Sequence, residues 1–239
     1  MVSNTVKMIT FDVTNTVLRV LGGVGQQYAQ VSKLYGVDLD PVKISQAFKT
    51  HWVRQNQQQP NFGAEDNMAS HHWWHDLVKK TFVDAGYKGN DSTISTIFTH
   101  LYVHFGTSNG WEILPGASEA LQNLSNHDIK LGVISNFDER LETILTKMAL
   151  RHHFDFVITS KEFKIAKPDV RIFEEALRLG ECSACQTIHV GDNYHNDYCG
   201  ARDAGLTGVL FSKDTSNLPE DIDKNHVVSD LHELSRYLK

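Results

Sequence analysis

From residue 111 onward, short runs of consecutive apolar residues alternate with segments of helical period, and few architectures accommodate that pattern. The runs lie at 130–134 (KLGVI), 154–159 (FDFVIT), 187–190 (TIHV), 207–211 (TGVLF) and 226–228 (HVV), with another at 6–13 (VKMITFDV). A strand that stays apolar on successive residues is covered on both faces, as in a parallel sheet sandwiched by helices. Between the runs, Leu141, Ile144, Leu145 and Met148 repeat at helical spacing, and Ile172, Phe173, Ala176 and Leu177 form a second stripe. The alternation predicts an α/β fold with a doubly wound, Rossmann-like parallel sheet.

Residues 20–108 carry a different pattern. Stripes at Tyr28, Val31, Leu34, Tyr35; at Ile44, Ala47, Phe48; at Trp74, Leu77, Val78, Thr81; and at Ile94, Ile97, Phe98, Leu101, Phe105 predict four helices. Asp40-Pro41 supplies a cap and a first-turn proline for the second. The expected organisation is an α/β core of 1–19 and 109–239, with a helical cap of 20–108 inserted after the first strand. The glycine-bearing stretches 21–25 and 105–111 are the expected hinges.

A chain of 239 residues with a formal charge of −6 lacks the basic face that nucleic acid or an anionic membrane requires. No run is long enough to span a bilayer, and no signal-peptide pattern opens the sequence, so a cytoplasmic protein is expected. Three cysteines, with the CxxC of Cys182 and Cys185 standing alone, read as loop cysteines in a reducing compartment.

In a doubly wound sheet, ligands bind beyond the carboxyl ends of the strands. Asp12, Ser135-Asn136, Lys167, and Asp192 with Asp197 all fall at such ends. Each alone is a common cap or turn residue; their joint placement is the signal. Three carboxylates beside one lysine leave about two negative charges in a partly desolvated crevice. A hard divalent cation, Mg²⁺, would supply the missing charge through oxygen ligands and would also hold a phosphate. The Ser135 hydroxyl and backbone N–H groups at a helix start directly after it are the expected phosphoryl donors.

The motifs "FDVTNT" (11–16), "VISN" (133–136), "KP" (167–168) and "GDNYHND" (191–197), in this order and spanning nearly the whole chain, resemble those of the haloacid dehalogenase superfamily. The resemblance implies a hydrolase in which Asp12 is the nucleophile, and its carboxylate and the Thr14 carbonyl bind Mg²⁺. It implies that Ser135, Asn136 and Lys167 hold the phosphoryl group of a small phosphorylated metabolite. Asp192 would ligate the metal, Asp197 would support Lys167 and the metal shell, and Thr16 would steady the loop.

Family phosphatases usually carry a second Asp at the Thr14 position, to protonate the leaving group and then activate water. Threonine cannot exchange a proton near neutral pH, and such help is worth roughly 10²–10⁴ in rate. Three readings stay open: a slow Mg²⁺-dependent phosphomonoester hydrolase, a long-lived acyl-phosphate like that of the P-type ATPases, and a regulatory phosphate- and metal-binding protein. A dehalogenase fits less well, because that chemistry needs no metal. Elsewhere, His71 and His75 have metal-pair spacing but read as a solvated helix face, Trp74 reads as core, and Arg54 and His51 are candidate anion contacts.

Overall fold

The computed structural model describes residues 5–238. Its main sheet is built from β1 (Met8–Phe11), β4 (Lys130–Ser135), β5 (Phe156–Thr159), β6 (Thr187–Gly191), β7 (Thr207–Phe211) and β8 (Val227–Val228), and a two-stranded ribbon pairs β2 (Leu18–Val20) with β3 (Trp111–Ile113). The sheet order is β5-β4-β1-β6-β7-β8, and every neighbouring pair is parallel. This is the expected doubly wound α/β arrangement, with β1 inside the sheet between β4 and β6. All four residues of β1 and all five of β6 are buried, as unbroken apolar runs require. The predicted runs all appear as strands; β2 and β3, three residues each, were too short to leave a period in the sequence.

By compactness the chain divides into two units. The first holds residues up to Arg19, Ile113–Phe137, and everything from Met148 onward. The helix Val170–Gly180 covers one face of its sheet, packing Ile172, Phe173 and Ala176 with Met8, Ile134 and Phe156.

The second unit holds Val20–Glu112 together with Asp138–Lys147, a segment that the sequence pattern assigned to the α/β core. It contains α1 (Val24–Lys33), α2 (Pro41–Gln58), α3 (Ser70–Asp84) and α4 (Asp91–Phe105). The Asp40 side chain accepts from Val42 N at 2.9 Å with Pro41 at the first helical position, as its sequence predicts. Asn90 caps α4 in the same way, through Thr93 N. Tyr28, Val31, Ile44, Ala47, Val78, Phe82, Ile94, Ile97, Phe98 and Leu101 form its core.

Two stripe assignments change. Leu34 follows the end of α1 and is 71% exposed, so the stripe stops at Val31. Trp73 is the fully buried tryptophan, whereas Trp74 lies at the margin and spends its indole N–H on Asp138 at 2.6 Å. Adjacent tryptophans sit about 100° apart on a helix, and periodicity alone could not say which one faces inward.

Candidate active site at the carboxyl ends of the parallel strands

The register of the sheet places the acids. Phe11 lies opposite Val133 on β4 and Val190 on β6, so Asp12 emerges one residue beyond, its N–H donating to Val190 O at 2.8 Å. Ser135 ends β4, and Gly191 ends β6 just before Asp192. The chain then enters a π-helix over Tyr194–Cys199, which carries Asp197 back towards the strand ends. Gly191 makes that return possible, because a methyl group there would overlap the Asp197 carboxylate.

Lys167 is the hub. Its ammonium donates to Asp12 Oδ1 at 2.8 Å, to Asp197 Oδ1 at 2.6 Å and to Ile134 O at 2.7 Å, which uses all three of its protons. Ser135 Oγ donates to the same Asp12 Oδ1 at 3.1 Å. Lys167, Asp12, Asp197 and Ser135 are all buried.

Three expectations are revised by the geometry. The Asn136 side chain is committed to the Lys167 backbone, accepting from its N–H at 2.7 Å and donating to its C=O at 2.9 Å. That side chain is spent on clamping the lysine loop. The helix expected directly after Ser135 starts only at Leu141, so no helical N-terminus adjoins that hydroxyl. Thr16 is fully buried, and its hydroxyl has no hydrogen-bond partner, so it does not steady the loop through that group. His51 lies 3.3 Å from Asp84, and His71 packs on Phe98 and Tyr102, within the helical unit.

Asp12, Asp192 and Asp197 can bring one carboxylate oxygen each within 4.8 Å of one another, and they are the one such His/Cys/Asp/Glu group among the described residues. Their acidities differ. Burial opposes the charge of Asp197, but Lys167 and His189 outweigh it and hold this carboxyl well below the usual range. Burial pushes Asp12 up, with Lys167 only partly offsetting. Partial desolvation, then the charges of Asp12 and Asp197, push Asp192 up to about 7, although the residue is exposed at the surface. The lysine thus neutralises Asp197 most completely, and Asp12 and Asp192 are left short of positive charge. Oxygen donors with that deficit fit a hard divalent cation.

Three participants escaped the sequence reading. Asn15, in the left-handed region at φ 61°, donates from Nδ2 to Asp192 Oδ2 at 3.3 Å. His189 contacts Asp197 at 3.1 Å, and Thr10 contacts His189 at 2.9 Å. A histidine inside an otherwise apolar, doubly covered strand needs a polar partner, and that was the available signal. Beside Asp192, an open cavity of about 330 Å³ is lined by Asn15, Arg19, Leu114, Phe211, Ser212 and Lys213.

Strand-end acids, a lysine that binds two of them and a doubly wound sheet define a class, and comparison with known proteins agrees. The family model described as haloacid dehalogenase-like hydrolase matches residues 42–211. The chain is 38% identical over 229 residues to haloacid dehalogenase-like hydrolase domain-containing protein 3 of Xenopus laevis, covering 95% of this chain and 93% of that one. It is 34% identical to the rhythmically expressed gene 2 protein of Drosophila melanogaster, covering 96% and 94%. Among solved structures, the HAD-hydrolase YfnB of Bacillus subtilis bound to magnesium aligns with TM-score 0.72 at 19% identity, over 98% of this chain and 99% of that one. A HAD phosphatase from Thermococcus onnurineus aligns at 0.64 and 20%, covering 97% of each chain. A 2-haloacid dehalogenase from Pseudomonas syringae aligns at 0.69 and 21%, covering 98% of each. The chain belongs to the haloacid dehalogenase-like hydrolase family.

Proposed function

We propose that this protein is a Mg²⁺-dependent phosphomonoester hydrolase working through an aspartyl-phosphate on Asp12. The observation that carries the reading is the excess of acid over base: Asp12 and Asp192 are both raised while one lysine is held between Asp12 and Asp197. A dehalogenase needs no cation, and such a deficit would only hinder it. The carboxylates of Asp12 and Asp192, with the Thr14 carbonyl, would hold the ion, and Asp197, whose oxygens already serve Lys167, His189 and Asn193 N, acts as the lysine's counter-ion. When bound, Mg²⁺ supplies charge that keeps both carboxylates ionised and draws a phosphoryl group to them.

The chain's own residues do the rest. Ser135 Oγ and Lys167 Nζ converge on one oxygen of Asp12, and on this reading the same two donors take phosphoryl oxygens. Because Lys167 has no spare proton, gripping the phosphoryl group means releasing Asp12, which returns a lone pair to the attacking carboxylate. Asn136 keeps the lysine backbone in place through this exchange. Thr14 cannot protonate the departing alkoxide, so alkoxide leaving groups depart slowly and the acyl-phosphate is long-lived.

The test is a panel of phosphomonoesters assayed with Mg²⁺ and with EDTA. Turnover that vanishes with chelator and in Asp12→Asn is the expected result. Mg²⁺ binding without turnover of any ester would favour the regulatory reading instead.

A further inference from the structure

A buried chain of polar groups runs from the interior of the sheet to the reacting carboxylate. Thr10 Oγ1 lies 2.9 Å from His189 Nδ1, and His189 Nε2 lies 3.1 Å from Asp197 Oδ1. Asp197 Oδ1 accepts from Lys167 Nζ at 2.6 Å, which in turn donates to Asp12 at 2.8 Å. Thr10 and His189 are fully buried, and the Phe173 ring packs edge-on against the imidazole at 5.2 Å between centroids.

Hydrogen-bond chemistry fixes the state of the ring. An ionised carboxylate only accepts, so His189 Nε2 carries a hydrogen. Burial makes the imidazole less basic, which outweighs the opposing pull of Asp197. The neutral ring then has an acceptor at Nδ1, and the Thr10 hydroxyl donates to it in preference to the longer 3.3 Å contact with Ile188 O.

The lysine explains why this matters. Its ammonium sits on a flexible four-carbon stem, so its acceptors decide its position. Of the three, Asp12 is the one surrendered to substrate, which leaves Ile134 O and Asp197. The carbonyl is fixed by β4. The Asp197 carboxylate is fixed by Asn193 N on Oδ2 at 3.0 Å and by His189 on Oδ1. We infer that His189, oriented by Thr10, is a positioning residue that sets the Lys167 ammonium through Asp197. The inference rests on the phosphoryl-transfer reading for its catalytic consequence, but the placement of the lysine can be measured without turnover.

The experiment compares the wild-type chain with His189→Leu and His189→Gln, the glutamine amide restoring an N–H near the Nε2 position. Three readouts are taken: the ¹H–¹⁵N signal of the Lys167 ammonium, assigned by its loss in Lys167→Met; the ¹⁵N spectrum of the His189 ring; and kcat/KM with p-nitrophenyl phosphate and Mg²⁺. The expected results are an Nε2–H tautomer in the wild type and an ammonium signal displaced or broadened in His189→Leu but kept in His189→Gln. A misplacement of this kind should lower kcat/KM by up to about 10²-fold in the leucine variant, with recovery in the glutamine variant. An Nδ1–H tautomer in the wild type overturns the inference even if His189→Leu fails to fold. So does an unchanged ammonium signal, or unchanged kcat/KM, in a folded leucine variant. If the wild type turns over no ester, the hydrolase reading falls, and the ammonium signal and ring tautomer alone decide the positioning.

Discussion

Each unit of the molecule sets a cation among acids, Lys167 buried and Arg140 half-buried, and the two arrangements differ in stoichiometry. In the helical unit, Arg140 forms a fork with Asp138, Nε to Oδ1 at 2.9 Å and Nη2 to Oδ2 at 2.7 Å. The Arg140 backbone N–H and Trp74 Nε1 also donate to that carboxylate, and the guanidinium lies 4.1 Å from the Tyr102 ring centroid and 5.2 Å from that of Trp74. One half-buried base meets one buried acid, and both oxygens of that acid have partners. In the α/β unit, one lysine meets Asp12 and Asp197 while Asp192 stands within ligand distance of both. The helical unit's pair is balanced, whereas the strand ends of the α/β unit keep a deficit of positive charge, on which the proposed site rests.

The largest effects come from removing each cation. Lys167→Met leaves Asp12 and Asp197 buried without their partner and should cost about 3–5 kcal/mol in denaturant unfolding without metal, together with all hydrolysis. Arg140→Met should cost a similar amount through Asp138. The units part company in the repair. Arg140→Met combined with Asp138→Asn should recover most of the lost stability, since replacing both members of a buried pair is often near neutral. Lys167→Met with Asp197→Asn should regain stability but no turnover. Recovered hydrolysis in that double variant would break the distinction.

Next in size is the position two residues after Asp12, the proposed nucleophile. Thr14→Asp would put an acid and base beside the proposed acyl-phosphate and should raise hydrolysis by up to roughly 10²–10⁴-fold. Alkyl phosphates should gain more than p-nitrophenyl phosphate, whose leaving group barely needs a proton. Equal gains for both would mean that the substitution acts on something other than proton transfer.

The smallest effect sharpens the charge argument through pH. Asp192 has its folded-state pKa raised from 3.8 to about 7. Between those values the folded chain keeps a proton that the unfolded chain has released, so this group's contribution is full below about 4 and is lost as pH rises through about 7. Mg²⁺ must displace that proton, so its stabilising effect should grow over the same window. At 100 times its dissociation constant the ion should add about 2.7 kcal/mol. A Tm gain from Mg²⁺ that is the same at pH 5.5 and 7.5, or that persists in Asp192→Ala, would place the ion elsewhere.

What was legible in the sequence follows from what a period can encode. Strands covered on both faces and helices with long stripes announce themselves, and strand-end acids become informative once the sheet is inferred. Asp12, Ser135, Lys167, Asp192 and Asp197 were found in that way, and the structure brings them into one cluster. Partnerships between side chains distant in sequence are not periodic. The grip of Asn136 on the Lys167 backbone spans 31 positions, and the contact between Thr10 and His189 spans 179. The attachment of Asp138–Lys147 to the helical unit was hidden for the same reason: it depends on Arg140 reaching Tyr102 and Trp74.

Attack by Asp12 on phosphorus is tested most simply by trapping the acyl-phosphate. The wild-type chain would be mixed with acetyl phosphate and Mg²⁺, quenched in acid, digested and examined by mass spectrometry. A phosphate is expected on the peptide containing Asp12, absent with EDTA and in Asp12→Asn, and less abundant at steady state in Thr14→Asp because release is faster. No label under any condition, or a label on a peptide lacking Asp12, would contradict it.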